Sequence, residues 1–248
     1  MRALKDLYFE KTGPGSFAIL DFPKLKTPLQ FMRDQLIAGG DSKAAAAAAA
    51  AFDDKRKQDV KRFDTVQKHF MSHTRDMIKT SLSVLPASVP LSAALACFKV
   101  VLAVTTVPIT SSRAAKDLAP DVTRAINTVV RYADLRDEIY LQVIKQLNDN
   151  PRHDLTRQAW RLLDLLLEFV PPSTNFENFL ESFVRSMGAD DTRLFRLYNI
   201  LSKAGIGEEG GETAGAVGVG VGVGGGSGGV QYVSEKEVES KFRVIFKL

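Results

Sequence analysis

A chain of 248 residues that is 45% hydrophobic and 25% charged holds enough apolar material for one sizeable core, which excludes disorder throughout. Its 33 Lys and Arg against 29 Asp and Glu leave a net charge of +4, an excess that suits an acidic protein surface without by itself indicating nucleic acid. Cys97 is the only cysteine, so a disulfide within the chain is excluded and a reducing, cytoplasmic compartment is expected.

Residues 1–21 read as an N-terminal extension in which Lys5, Asp6, Glu10 and Lys11 interrupt the apolar core a secretory signal requires. After Gly39, Gly40 and Asp41 comes a run of alanines at 44–51, which favours helix but offers little to pack, so about 39–51 reads as an inserted spacer. Phe63, Val66, Phe70 and Met77 then predict one face of a basic amphipathic helix over 53–79. The apolar stretch 91–107 is short for a membrane span and carries Lys99 in its middle, where a charge is costly in hydrocarbon. A buried core helix over 91–104 is expected instead.

Pro108 and the Ser/Thr residues after it predict a loop over 108–119, followed by a helix over 117–132 with Pro120 near its first turn. Asp134 is expected to cap the next helix. Asp137 and Glu138 suit the positive end of its dipole, and Leu135, Ile139, Val143 and Leu147 give its apolar stripe. Asn148 to Pro151 end it, because proline bars the helical conformation of its predecessor. A further helix over 156–170 stops at Pro171 and Pro172. Ser173 is read as the cap of one carrying Phe176, Phe179, Leu180, Phe183, Val184 and Met187 inward and ending at Gly188, and Asp190 or Asp191 starts another with Leu194, Leu197, Tyr198 and Leu201. The segment 204–230 reads as a glycine-rich flexible linker, since 205–229 holds 13 of the 18 glycines. The whole is expected to be all-α, a compact helical bundle or short helical solenoid with low-complexity insertions.

No pattern for catalysis stands out, and no cofactor or metal is expected. The glycine-rich stretch lacks the Gly-Lys-Ser/Thr ending of a phosphate-binding loop. His69 and His73 have helical spacing for a shared metal, but Phe70 stands where a zinc hydrolase needs glutamate. Cys97 reads as a buried thiol. Lys145, Arg152, Arg157 and Arg161 converge toward one end of the predicted bundle and are the candidate surface for an acidic partner, weighed against an ordinary solvated face.

Leu135 to Tyr140 and the residues through Gln146, then Asn150, Pro151, Arg157, Trp160, Arg161 and Phe169 to Ser173, resemble the MyTH4 domain of myosin and kinesin tails and some RhoGAP proteins. Phe22, Pro23, Thr27 and Pro28 resemble its opening segment, and Ala94, Phe98 and Lys99 one of its helices, so the resemblance spans about 22–203. Residues 231–248 then look like the closing segment before a FERM domain, with 241–248 as the first strand of a truncated FERM lobe. The resemblance implies a cytoplasmic, cytoskeleton-associated, non-catalytic module that binds tubulin in microtubules or a cargo protein. It also implies an intramolecular FERM domain as partner, no nucleic acid and no membrane span, and Lys145, Arg152, Arg157 and Arg161 facing acidic tails. The alternatives are a fragment of a RhoGAP protein whose catalytic domain lies elsewhere, and a plain helical scaffold.

Overall fold

The computed structural model describes residues 17–41, 43, 70–188, 191–208 and 231–247. The alanine run, most of the expected basic helix and 209–230 fall outside them. A short 3-10 turn at Ile19–Asp21 precedes helix α1, Pro28–Ala38. Thr27 starts α1 with reciprocal bonds: its hydroxyl accepts from the Gln30 N–H at 3.2 Å, and Gln30 Oε1 accepts from the Thr27 N–H at 2.9 Å. There follow α2 (Leu91–Thr106), α3 (Ser112–Arg131), α4 (Leu135–Leu147), α5 (His153–Phe169), α6 (Glu177–Ser186), α7 (Asp191–Glu208) and α8 (Glu235–Phe246). No strand occurs among the described residues, which agrees with the all-α expectation; an isolated antiparallel bridge joins Leu25 to Ser83.

Helix α4 is the centre. α2, α3 and α5 pack on it, α7 leans on α5 and α6, and α8 lies across α3 and α5. The apolar stripe of α5 explains why it packs inward: Leu155, Ala159, Leu162, Leu163 and Leu166 are all buried, each leucine contributing roughly 1.5–3 kcal/mol relative to exposure. Phe22 closes the bundle from the N-terminal side, its ring 4.8 Å from that of Phe176 in an edge-on contact. α2 is buried along Ala94, Cys97, Phe98 and Val101 and exposes Lys99. No helix among the described residues is long and apolar enough to cross a membrane.

Several expectations are corrected. The helix over 53–79 does not reach its expected end, for 71–80 are irregular backbone and Met77 is 44% exposed. α3 begins at Ser112, where Ser111 Oγ accepts from the Ala114 N–H at 3.2 Å, so the expected loop is short and Pro120 lies inside the helix. The bond Pro120 cannot make belongs to the carbonyl of Lys116, a residue exposed to solvent. Asp134 makes no cap; its backbone is already helical and its carboxylate lies 3.7 Å from Lys24 Nζ. Ser173 is engaged by Asp137, α6 starts later at Glu177, and Met187 is exposed rather than inward. α7 runs through Gly205 and Gly207 to Glu208, beyond the expected start of the linker.

Residues 241–246 are helical, where a strand was expected. Phe242, Val244 and Phe246 alternate as a strand would, but Val238, Phe242 and Phe246 share a helical face. Burial separates the two periods, for those three are fully enclosed while Val244 is 71% exposed.

Candidate partner-binding surface

The structure divides the four basic residues chosen from sequence. Lys145 is not on the surface. It is 3% exposed, and its Nζ donates to the carbonyls of Phe70 and Ser72, each at 2.7 Å. Burial pushes its pKa down to about 8, while the two carbonyls favour the ammonium form. Its position on α4 faces the irregular segment 70–83 and not solvent, because that segment wraps the polar side of the helix.

The acidic residues of the same helix do similar structural work. Glu138 accepts from the N–H groups of Leu82 at 2.9 Å and Ser83 at 2.7 Å, and from Gln142 Nε2 at 3.0 Å. Asp137 accepts from the Ser173 N–H at 3.0 Å and its hydroxyl at 2.7 Å. Burial raises the Asp137 pKa, opposed by the Ser173 bonds and by Lys24 and Arg136. The pair therefore fastens two distant segments to α4 and does more than sit at a helix start.

Arg152 and Arg157 do reach solvent. Arg152 precedes α5, where a cation opposes the helix dipole, and it forms a two-pronged pair with Asp154, Nε to Oδ1 at 3.1 Å and Nη2 to Oδ2 at 2.6 Å. That contact holds the Asp154 carboxyl down at about 2. Arg157 is exposed, one turn further along, and makes no ion pair among the described residues. Arg161 is half-buried: Nη1 donates to the carbonyl of Phe246 at 3.1 Å, and the guanidinium lies 5.9 Å from that ring's centre. It holds α8 in place.

The acidic side chains of α5 are all engaged. Asp154 takes Arg152, Asp164 takes Arg193 at 3.0 Å, and Glu168 takes both Arg196 and, at 2.8 Å, Lys241. The guanidinium of Arg193 also covers the Trp160 ring at 4.5 Å. Lys241 beside Glu168 and Phe246 beside Arg161 make α8 antiparallel to α5. The end of α8 thus approaches the basic start of α5, and Lys236, Arg243 and Lys247 are exposed on its outer side. An open groove of about 490 Å³ runs along Lys236, Glu239, Ser240, Arg243 and Val244. The helical period that runs through 235–246, in place of the strand expected from 241, is the signal in the sequence that carries these residues.

The remaining chemical candidates fall into structural positions. His73 stands on irregular backbone, its N–H bonded to the Asn148 carbonyl at 2.8 Å, so the helical pairing with His69, which lies outside the described residues, lacks its second position. Cys97 is 1% exposed, and burial raises its pKa to about 12. No group of three or more His, Cys, Asp or Glu suited to a metal occurs among the described residues.

The family model described as MyTH4 domain matches residues 122–204, from within α3 through most of α7. The high molecular weight form of myosin-1 from Acanthamoeba castellanii is 39% identical over 66 residues, which cover 27% of this chain and 4% of that protein. Kinesin-like protein KIN-14E from Arabidopsis thaliana is 28% identical over 71 residues, 29% of this chain and 6% of that protein. The chain thus matches only a small part of each relative's length. The solved MyTH4-FERM MF1 domain of Dictyostelium discoideum myosin VII superposes with a TM-score of 0.51 at 23% identity, over 76% of this chain and 34% of that one, a likeness of fold.

Proposed function

Since the chain carries a MyTH4 domain at residues 122–204, we propose that it serves as a non-catalytic docking module of a cytoskeletal protein, binding microtubules or a cargo protein. The contact surface is the basic start of α5 together with the outer side of α8. The observation that carries this reading is the charge balance of α5: its three carboxylates are engaged, while Arg157 stands exposed without an ion pair among the described residues. An acidic partner is the complement such a surface attracts, and the attraction weakens as salt screens it. Arg152 and Arg157 carry the role first given to all four basic residues, with Arg243 and Lys247 as additions.

The module is further proposed to act in the cytoplasm, on the cytoskeleton, alongside a FERM domain of the same polypeptide, the pairing named for the myosin VII fragment. The test is microtubule co-sedimentation at low and moderate salt with the chain bearing Arg157→Glu and Lys247→Glu. Pelleting is expected at low salt for the natural chain and reduced for the variant. Unchanged pelleting of the variant would remove this surface from the reading, and failure of the natural chain to pellet would favour cargo over microtubules.

A further inference from the structure

Helix α8 is held by side chains that grip its main chain at both ends and by an apolar side that is almost wholly enclosed. Its apolar side inserts Val238, Phe242 and Phe246, spaced four residues apart and all but inaccessible, between α3 and α5. The two phenyl rings stack 4.1 Å apart, so they enter the groove as one block. The polar holds at both ends are made to main-chain atoms. Asn127 on α3 donates from Nδ2 to the Val233 carbonyl at 2.9 Å and accepts at Oδ1 from the Val233 N–H at 2.8 Å. Arg161 on α5 takes the Phe246 carbonyl at the other end. Between them Ser234 caps the helix through the Glu237 N–H at 3.3 Å, and one side-chain pair, Lys241 to Glu168, sets its direction.

Such a groove reads a short message: one residue captured by both of its backbone groups, a capped helix, and apolar residues at every fourth position. That is how a groove recognises a helical peptide. The sequence joining α7 to α8, 209–230, is a low-complexity run of Gly and Val with no turn signal of the kind that joins α4 to α5 or α5 to α6. Among the described residues, the contacts that seat α8 in the groove are made by residues 233–246 themselves. Any chain presenting 231–247 satisfies them equally, and another copy of this protein presents that segment with every contact conserved.

We propose that the groove between α3 and α5 is a helix-docking site that accepts residues 231–247 of a second copy of this chain in exchange for its own. At low concentration the tethered segment wins through its high local concentration, and the exchange grows as copies are brought together. The exchanged segment carries Arg243 and Lys247 of the proposed partner surface, but the inference rests on the buried inner side of α8, through Val238, Phe242 and Phe246, and not on the charges of its outer side.

Two measurements test it. In the first, the full chain carries a protease site within 209–230; after cleavage, a dye-labelled peptide of residues 231–247 is added in excess. The peptide is expected to replace the resident segment and co-elute with the protein on size exclusion, and a Phe242→Ala peptide to bind at least tenfold more weakly. No incorporation at hundredfold excess, or equal incorporation of the two peptides, overturns the docking site. In the second, uncleaved chains bearing Phe242→Asp are mixed with chains bearing Asn127→Ala and Arg161→Ala. The first keeps a sound groove and the second a sound helix, so a heterodimer is expected by light scattering in the mixture and in neither component alone. A mixture that stays monomeric while the peptide exchanges would reject a second copy as the occupant.

Discussion

The carboxylate of Glu138 holds the main chain of Ser83, its Oε2 accepting from the Ser83 N–H at 2.7 Å while Oε1 takes that of Leu82 at 2.9 Å. A side chain in the central helix thereby supplies acceptors that a β-ladder would otherwise give to an extended segment. The bridge between Leu25 and Ser83 then adds residues 24–26 on the far side, with Lys26 N–H to the Leu82 carbonyl at 2.9 Å.

Removing those acceptors leaves buried donors unmatched. Glu138→Ala is expected to destabilise the domain by about 3 kcal/mol or more, and Glu138→Gln, which keeps one acceptor, by less. Urea unfolding followed by circular dichroism measures both. Equal midpoints for Glu138→Ala and the natural chain would contradict the role given to this carboxylate.

Lys145 gives stability a pH dependence of definite sign. Its ammonium is less favourable in the folded state, with a pKa of about 8 against the ordinary lysine value of 10.5, so between these pH values the unfolded chain binds more protons. Stability contributed by this group is smallest below pH 8 and rises through the window, by up to about 3 kcal/mol. The natural chain should therefore gain on Lys145→Met as pH rises from 7 to 10.5. A constant difference between the two across that range is the contrary result.

Cys97 should resist thiol reagents. With the thiol 1% exposed and its pKa near 12, labelling at pH 8 is expected roughly a thousandfold slower than for a free cysteine, rising only as urea opens the fold. Rapid labelling of the native chain would show that α2 is not packed as described.

Arg157 and Arg161 occupy one face of α5 but should separate in experiment. Arg157→Ala, at an exposed position, is expected to leave thermal stability within about 0.5 kcal/mol of the natural chain while weakening partner binding. Arg161→Ala loses the carbonyl of Phe246 and should loosen α8, read as faster hydrogen exchange in 235–246. Similar exchange in the two variants would deny Arg161 its structural part.

The helices from α4 to α7 were legible because their ends are written in residues with local consequences: Asn148 to Pro151, the pair Pro171 and Pro172, and Gly188, whose φ of +65° requires its freedom. The polar half of α4 was not legible. Glu138, Asp137 and Lys145 look like surface charges, and their partners are largely backbone groups of segments far away in sequence, which no residue type announces. For the same reason Lys145 reads in the sequence as a surface charge beside Arg152 and Arg157, although only the latter two are exposed. Burial of an ionisable side chain depends on what wraps it, and the apolar spacing of Phe63, Val66, Phe70 and Met77 gives part of the wrapping segment 70–83 the look of a helix.

The last helix closes contacts of long range: Asn127 meets Val233 across 106 positions of sequence. During synthesis α3 and α5 leave the ribosome well before 231–247, and at about 5–20 residues per second their shared apolar floor stays uncovered for several seconds. In that interval the nascent chain carries an open hydrophobic slot, a natural point of engagement for chaperones and the step at which translation speed decides whether the newborn molecule seals itself or meets a neighbour on the same polysome.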